Sequence, residues 1–125
     1  PFIRKRGAHL FSKSRFIAAQ FAAYLENGLW LELAAHSNAM ADRLRTAIGA
    51  SSKARLAWDG RTNEVFAVLP LTVSAAAETK GARFYEWPAP KDMTNGPGPD
   101  EVLIRLVTSF ATTEADVDRF AELLG

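Results

Sequence analysis

The stretch Val102-Leu103-Ile104-Arg105-Leu106-Val107 decides how this chain is read. Five aliphatic residues around one arginine have the composition of a buried β-strand. Side chains two apart on a strand share a face, so Arg105 sides with Leu103 and Val107, while Ile104 and Leu106 line the other face. A guanidinium placed there needs a partner, because an unpaired buried charge is strongly unfavourable. Its planar fork of donors suits a carboxylate above all. Either the chain supplies that carboxylate, from Glu64, Glu86 or Glu101, or a ligand brings it. Thr108 and Ser109 follow directly and could add hydroxyl donors, or serve only as the lead-in to a helix.

Outward from that strand, the sequence alternates between helix and strand patterns. Ser14 to Asn27 reads as a helix apolar on most sides, from Phe16 and Ile17 to Tyr24 and Leu25. Such a helix is expected to be buried, against a partner as well as its own core. Asn27-Gly28 is a C-terminal stop. Leu29, Leu33, His36, Met40, Leu44 and Ile48 recur every three or four residues and predict a second helix, with Glu32, Asp42, Arg43 and Arg45 off the stripe. Ala54 to Trp58 and Glu64 to Leu69 predict two strands, and Asp59-Gly60 between them predicts an antiparallel hairpin. Thr72 to Thr79 reads as a short helix capped by Thr72. Arg83 to Trp87 is a third strand, halted by Pro88. Residues 88–100 hold four prolines and two glycines and must be loop. Thr112 or Thr113 caps a last helix with Glu114 and Asp116 in its first turn and Val117, Phe120 and Leu124 on its buried stripe. The order is α-α-β-β-α-β-β-α. It predicts an α+β fold, a small antiparallel sheet of about four strands covered by helices. Residues 1–125 read as a single domain, with 1–27 as a linker segment and packing helix.

Composition excludes several classes. The chain has 125 residues, enough for one core, with a net charge of +1. Nothing global therefore points to nucleic acid or to a membrane surface, and aromatic residues are not interleaved with the basic cluster. The absence of cysteine rules out disulfides and thiolate chemistry and suits a reducing, cytoplasmic setting. No apolar run reaches membrane-spanning length, and no apolar segment behind Arg4-Lys5-Arg6 suggests a signal peptide.

Other reactive residues are sparse. Ile3-Arg4-Lys5-Arg6-Gly7, with Lys13 and Arg15 beyond, could bind phosphate, with Gly7 admitting close backbone approach and Ser12 or Ser14 donating at a helix start. A solvated basic turn is the simpler reading. His9 lies in a loop beside this segment. His36, on an apolar stripe, reads as a hydrogen-bonded core or interface histidine. No metal-ligand spacing occurs, the carboxylates form no isolated pair, and no nucleophile elbow, Walker A or dinucleotide fingerprint is present. No catalytic residue is assigned.

Several stretches together resemble the C-terminal part of low-specificity L-threonine aldolases, pyridoxal-phosphate enzymes of the aspartate aminotransferase-like fold. They are Arg4 to Gln20, Gly28-Leu-Trp-Leu with His36-Ser-Asn-Ala-Met40, Asn63-Glu-Val-Phe66, Phe84-Tyr-Glu-Trp-Pro88 and Ile104 to Thr113, in order along nearly the whole chain. The resemblance implies a lyase, or part of one, that splits L-threonine and related β-hydroxy-α-amino acids into glycine and an aldehyde, with pyridoxal phosphate taking up the electrons of the broken bond. It assigns Arg105 to the substrate carboxylate and places Arg6, His9 and Lys13 near the cofactor, reached partly from a neighbouring subunit. It also implies a dimer or tetramer. The family's Schiff-base lysine, stacking histidine and pyridine-pairing aspartate lie upstream of the matching region, and Lys5, Lys13, Lys53, Lys80 and Lys91 sit in no matching context. The chain is therefore expected to be a C-terminal domain lacking its N-terminal cofactor domain, and inactive alone. The alternatives are a stand-alone amino-acid-binding module, in which Arg105 again holds a carboxylate, and an assembly module.

Overall fold

The Arg105 strand, β4 (Glu101–Val107), lies antiparallel to β2 (Glu64–Pro70) in a continuous seven-residue register from Glu64↔Val107 to Pro70↔Glu101. The two-residue strands β1 (Arg55–Leu56) and β3 (Tyr85–Glu86) flank this pair, giving the order β1-β2-β4-β3, antiparallel throughout. The computed structural model describes residues 2–10 and 12–124; Phe11, part of the stretch Arg4 to Gln20, lies outside the described residues. Helices α1 (Phe2–Arg6), α2 (Ser14–Leu25), α3 (Leu29–Ala50), α4 (Leu71–Thr79) and α5 (Glu114–Leu124) complete the fold. The expected order holds, with the basic N-terminal segment adding one helical turn, α1, ahead of it. The class is α+β, as expected.

The chain divides into two compact units, Pro1–Glu32 and Leu33–Gly125. In the second, period-two alternation sorts the sheet. Val65, Ala67 and Leu69 of β2, with Ile104 and Leu106 of β4, meet Met40, Ala41, Leu44 and Ile48 of α3 and Val117 and Leu124 of α5 in one core. Each fully buried aliphatic side chain there stabilises by about 1.5–3 kcal/mol. Arg43 on α3 donates twice to the Asp118 carboxylate on α5, both at 2.9 Å, and lies 3.2 Å from Glu114. The guanidinium holds the Asp118 carboxyl below its ordinary value. Thr113 and Asp116 cap α5 reciprocally, Asp116 N–H donating to Thr113 Oγ1 and Thr113 N–H to Asp116 Oδ2. Thr113, rather than Thr112, is thus the cap.

Several expectations are corrected by the packing. The stripe of α3 that is buried includes Ser37, Ala41 and Arg45 beside Met40, Leu44 and Ile48. Arg45, assigned to the outer face, is only 8% exposed, because the chain entering β2 offers it carbonyls. Its guanidinium donates to Thr62 O and Glu64 O at 3.1–3.2 Å and to Asp42 Oδ1 at 2.9 Å. Thr72 lies inside α4; Pro70 occupies the cap position and Leu71 N–H bonds Asp100 O, so β2 runs directly into the helix. β1 and β3 are shorter than the sequence pattern suggested, and residues 57–63 form the hairpin connection.

In the first unit, α2 has no buried residue, against the expectation from its composition. Some thirty residues cannot enclose a core of their own. Phe16, Phe21, Tyr24 and Leu25 remain more than 40% exposed. The stop at Asn27-Gly28 is as expected: both residues have left-handed backbone, φ 55° and 76°, interrupting the helical path.

Candidate functional site

The face of the sheet that does not line the core carries Arg105. Phe66, Arg105 and Tyr85 are cross-strand partners and form one row over β2, β4 and β3. Trp87 follows two residues after Tyr85 and its N–H bonds Leu103 O, which keeps it on the same face. The guanidinium carbon sits 4.5 Å from the Trp87 ring centroid and 5.4 Å from that of Tyr85, both within cation–π range. Trp58 packs on Phe66 at 4.5 Å and Phe66 meets Trp87 edge-on at 5.8 Å, so the two rings over the arginine continue into an aromatic cluster.

Arg105 is half-buried, with 26% of its side chain exposed, rather than enclosed as the aliphatic run suggested. Its neighbour Val107 is 52% exposed, whereas Leu103 is fully buried, so this face opens towards the end of the strand. Of the three acidic partners considered, Glu64 is the one that faces it: Arg105 Nη1 lies 3.5 Å from Glu64 Oε1. That separation is an ion pair but too long for a good N–H···O hydrogen bond. Glu64 is itself 42% exposed in its side chain. The Nε of Arg105 is buried without a hydrogen-bond partner among the described residues. Glu101 is taken elsewhere. Arg55 donates to both its oxygens and to Gly96 O, and Gly98 N–H donates to Oε2. These bonds hold the Glu101 carboxyl well down, at about 2. Glu86 pairs with Ile104 in the register, one position off the Arg105 row.

The site is thus an open shelf with aromatic walls, presenting a cation whose in-plane donors are largely unspent. A guanidinium attracts aromatic rings and binds an anion through its N–H donors. A guanidinium in this setting has the chemistry to accept a carboxylate, and among the described residues no nucleophile or acid/base pair stands beside it.

Thr108 and Ser109 take the structural role. Thr108 Oγ1 donates to Ser37 O and lies 3.2 Å from Asn63 O, and Ser109 Oγ accepts from Ala111 N–H at the lead-in to α5. His36 donates through Nε2 to Thr112 O at 2.8 Å; it is hydrogen-bonded as expected but exposed. Arg6, His9 and Lys13 belong to the first unit, with exposed side chains. There Arg4 Nε donates to His9 O at 2.9 Å, and Gly7 lies so close to the His9 ring that a Cβ would stand 2.9 Å from it. Lys13 precedes α2 without a capping side-chain bond.

All five lysines are exposed, and Arg105 meets Glu64, Tyr85 and Trp87 rather than a lysine. Among the described residues, no cluster of three metal-ligating side chains occurs, and no helix is long and apolar enough to cross a membrane.

What sequence reasoning missed is the aromatic wall. The alternation in Arg83 to Trp87 already put Tyr85 and Trp87 on one face, and that in Glu64 to Leu69 put Glu64 beside Phe66. Only the cross-strand register tells which faces coincide.

No family model matches the chain. The low specificity L-threonine aldolase of Pseudomonas sp. (strain NCIMB 10558) is 35% identical over 81 residues, which is 65% of this chain and 23% of that protein. The solved threonine aldolase of Leishmania major superposes with a TM-score of 0.69 and 34% identity, over 84% of this chain and 28% of that one. The chain spans about a quarter of the length of these relatives. Agreement in sequence and in fold over most of its residues makes this chain a relative of the threonine aldolases, corresponding to their C-terminal domain.

Proposed function

We propose that this chain is the C-terminal domain of a pyridoxal-phosphate-dependent lyase that cleaves L-threonine and related β-hydroxy-α-amino acids to glycine and an aldehyde, and that Arg105 binds the substrate carboxylate. The cofactor and its lysine belong to residues outside this chain, so the domain alone is inactive. The observation that carries this reading is the state of Arg105: its guanidinium carbon lies over the Trp87 ring, its Nε is buried without a partner among the described residues, and its nearest carboxylate stands at 3.5 Å. A structural arginine is normally saturated, as Arg45 is. An arginine flanked by rings and without a close carboxylate of its own suits a ligand carboxylate in a forked pair. Kinship with threonine aldolases supplies the reaction class. In that reading, Arg6, His9 and Lys13 serve near the cofactor, residues 1–27 act as linker and packing helix, and the complete enzyme is a cytoplasmic dimer or tetramer.

The test has two arms. Adding pyridoxal phosphate to the chain alone gives no aldimine absorbance and no glycine from L-threonine; either signal would contradict the assignment of the lysine elsewhere. In the protein carrying the cofactor domain, Arg105→Ala raises KM for L-threonine at least tenfold. An unchanged KM would remove Arg105 from the substrate site.

A further inference from the structure

We infer that Glu64 is a built-in competitor for the Arg105 site: its carboxylate stands in for the ligand's and must be displaced when an α-amino acid binds. This rests on the reading of Arg105 given above and adds to it the residue that sets the strength of the clamp.

Three observations carry it. Glu64 and Arg105 lie on the same face of adjacent strands, two residues out of register, since Phe66 is the direct partner of Arg105. That diagonal brings Glu64 Oε1 to 3.5 Å from Nη1, while the rings of Trp87 and Tyr85 lie 4.5 Å and 5.4 Å from the guanidinium carbon. The contact is a loose one. It leaves Nε without a partner and Glu64 partly in water, whereas Arg55 and Glu101 on the same sheet make a forked pair with both oxygens bonded. A carboxylate that neutralises the arginine without saturating it keeps the half-buried charge tolerable when no ligand is bound. It also yields to a ligand that bonds the guanidinium more closely than 3.5 Å. The backbone of Glu64 is independently fixed, because Arg45 donates to its carbonyl, so swinging the side chain away does not disturb the strand.

Displacement costs the ligand affinity, since two like charges then share one cation. Neutralising Glu64 removes that cost. The experiment is a titration of the full chain with L-threonine, followed through the side-chain ¹⁵N resonance of Arg105 Nε, for wild type, Glu64→Gln and Arg105→Ala. Glu64→Gln is expected to bind roughly fivefold more tightly at low salt, with the gap narrowing as ionic strength rises. Circular dichroism identical to wild type certifies the fold of each variant. Glu64→Asp, which keeps the charge but shortens the arm, should fall between wild type and Glu64→Gln. If Glu64→Gln binds as wild type does, or more weakly, Glu64 is an orienting residue or a bystander and the inference fails while Arg105 keeps its role. If wild type and Glu64→Gln both show no saturable binding, or binding survives Arg105→Ala, the carboxylate reading of Arg105 falls and the competitor with it.

Discussion

Arg45 on α3 and Arg105 on β4 both meet Glu64, the first through the backbone carbonyl at 3.2 Å, the second through the carboxylate at 3.5 Å. One arginine is saturated and the other is not. On the proposed reading, that contrast separates a cation that holds the fold from a cation kept for a ligand, and truncation of the two should have different effects.

Arg45→Ala should destabilise the chain by about 2–3 kcal/mol, because it strips donors from Thr62 O and Glu64 O where the strand is anchored to the helix. Urea unfolding measures it. A loss below half a kcal/mol would mean that water replaces the guanidinium freely.

On the proposed reading, Arg105→Ala should cost no more than about 1 kcal/mol of stability, from the lost ring contacts, while weakening L-threonine binding. Charged hydrogen bonds to a carboxylate are worth about 1.5–3 kcal/mol, so affinity falls roughly ten- to a hundredfold. Arg105→Lys keeps the charge but not the fork and recovers only part of this. Unfolding of Arg105→Ala at ordinary temperature would show instead that the residue serves the scaffold.

Trp87→Ala removes the ring 4.5 Å from the guanidinium. Loss of the stack and of the edge contact to Phe66 should cost about 1–2 kcal/mol of stability, and the freed arginine should bind L-threonine several-fold more weakly. Trp87→Phe, which restores a ring, should recover most of the affinity. Failure of Phe to rescue would place the effect in the indole itself.

Arg55 and Glu101 tie β1 to β4 and reach the proline-rich connection through Gly96 O and Gly98 N–H. The Glu101 carboxyl sits at about 2 against an ordinary 4.5, chiefly through its bond to Arg55. A lowered folded value means stability that is complete above 4.5 and is lost as pH falls from there towards 2. Both partners are partly in water, so the loss is about 1 kcal/mol. Thermal unfolding across this range should show a step that Glu101→Gln removes; an acid limb identical in the variant would assign the dependence to other carboxylates.

The sequence was most legible where one strong period ran unopposed. The aliphatic alternation of β4, the paired strand at Glu64 to Leu69 and the Thr113-Glu114-Ala115-Asp116 cap each named their element from local chemistry. Arg105 stood out because a charge interrupted an apolar run. Arg45 did not, because on a helix with Asp42 and Arg43 beside it a third charge looks like surface; its carbonyl partners come from seventeen and nineteen residues away. The aromatic wall is likewise non-local, assembled by a register that no single strand encodes. α2 misled for the opposite reason: composition demands burial, but says nothing about whether the chain in hand provides the cover.

The outer ribbons of the sheet, β1 and β3, are each two residues long. A foreign strand arriving at either rim finds almost no ladder to extend, and Pro88 closes one of them a step later. The apolar shelf around Arg105 is therefore left exposed without offering neighbouring copies an edge on which to zip.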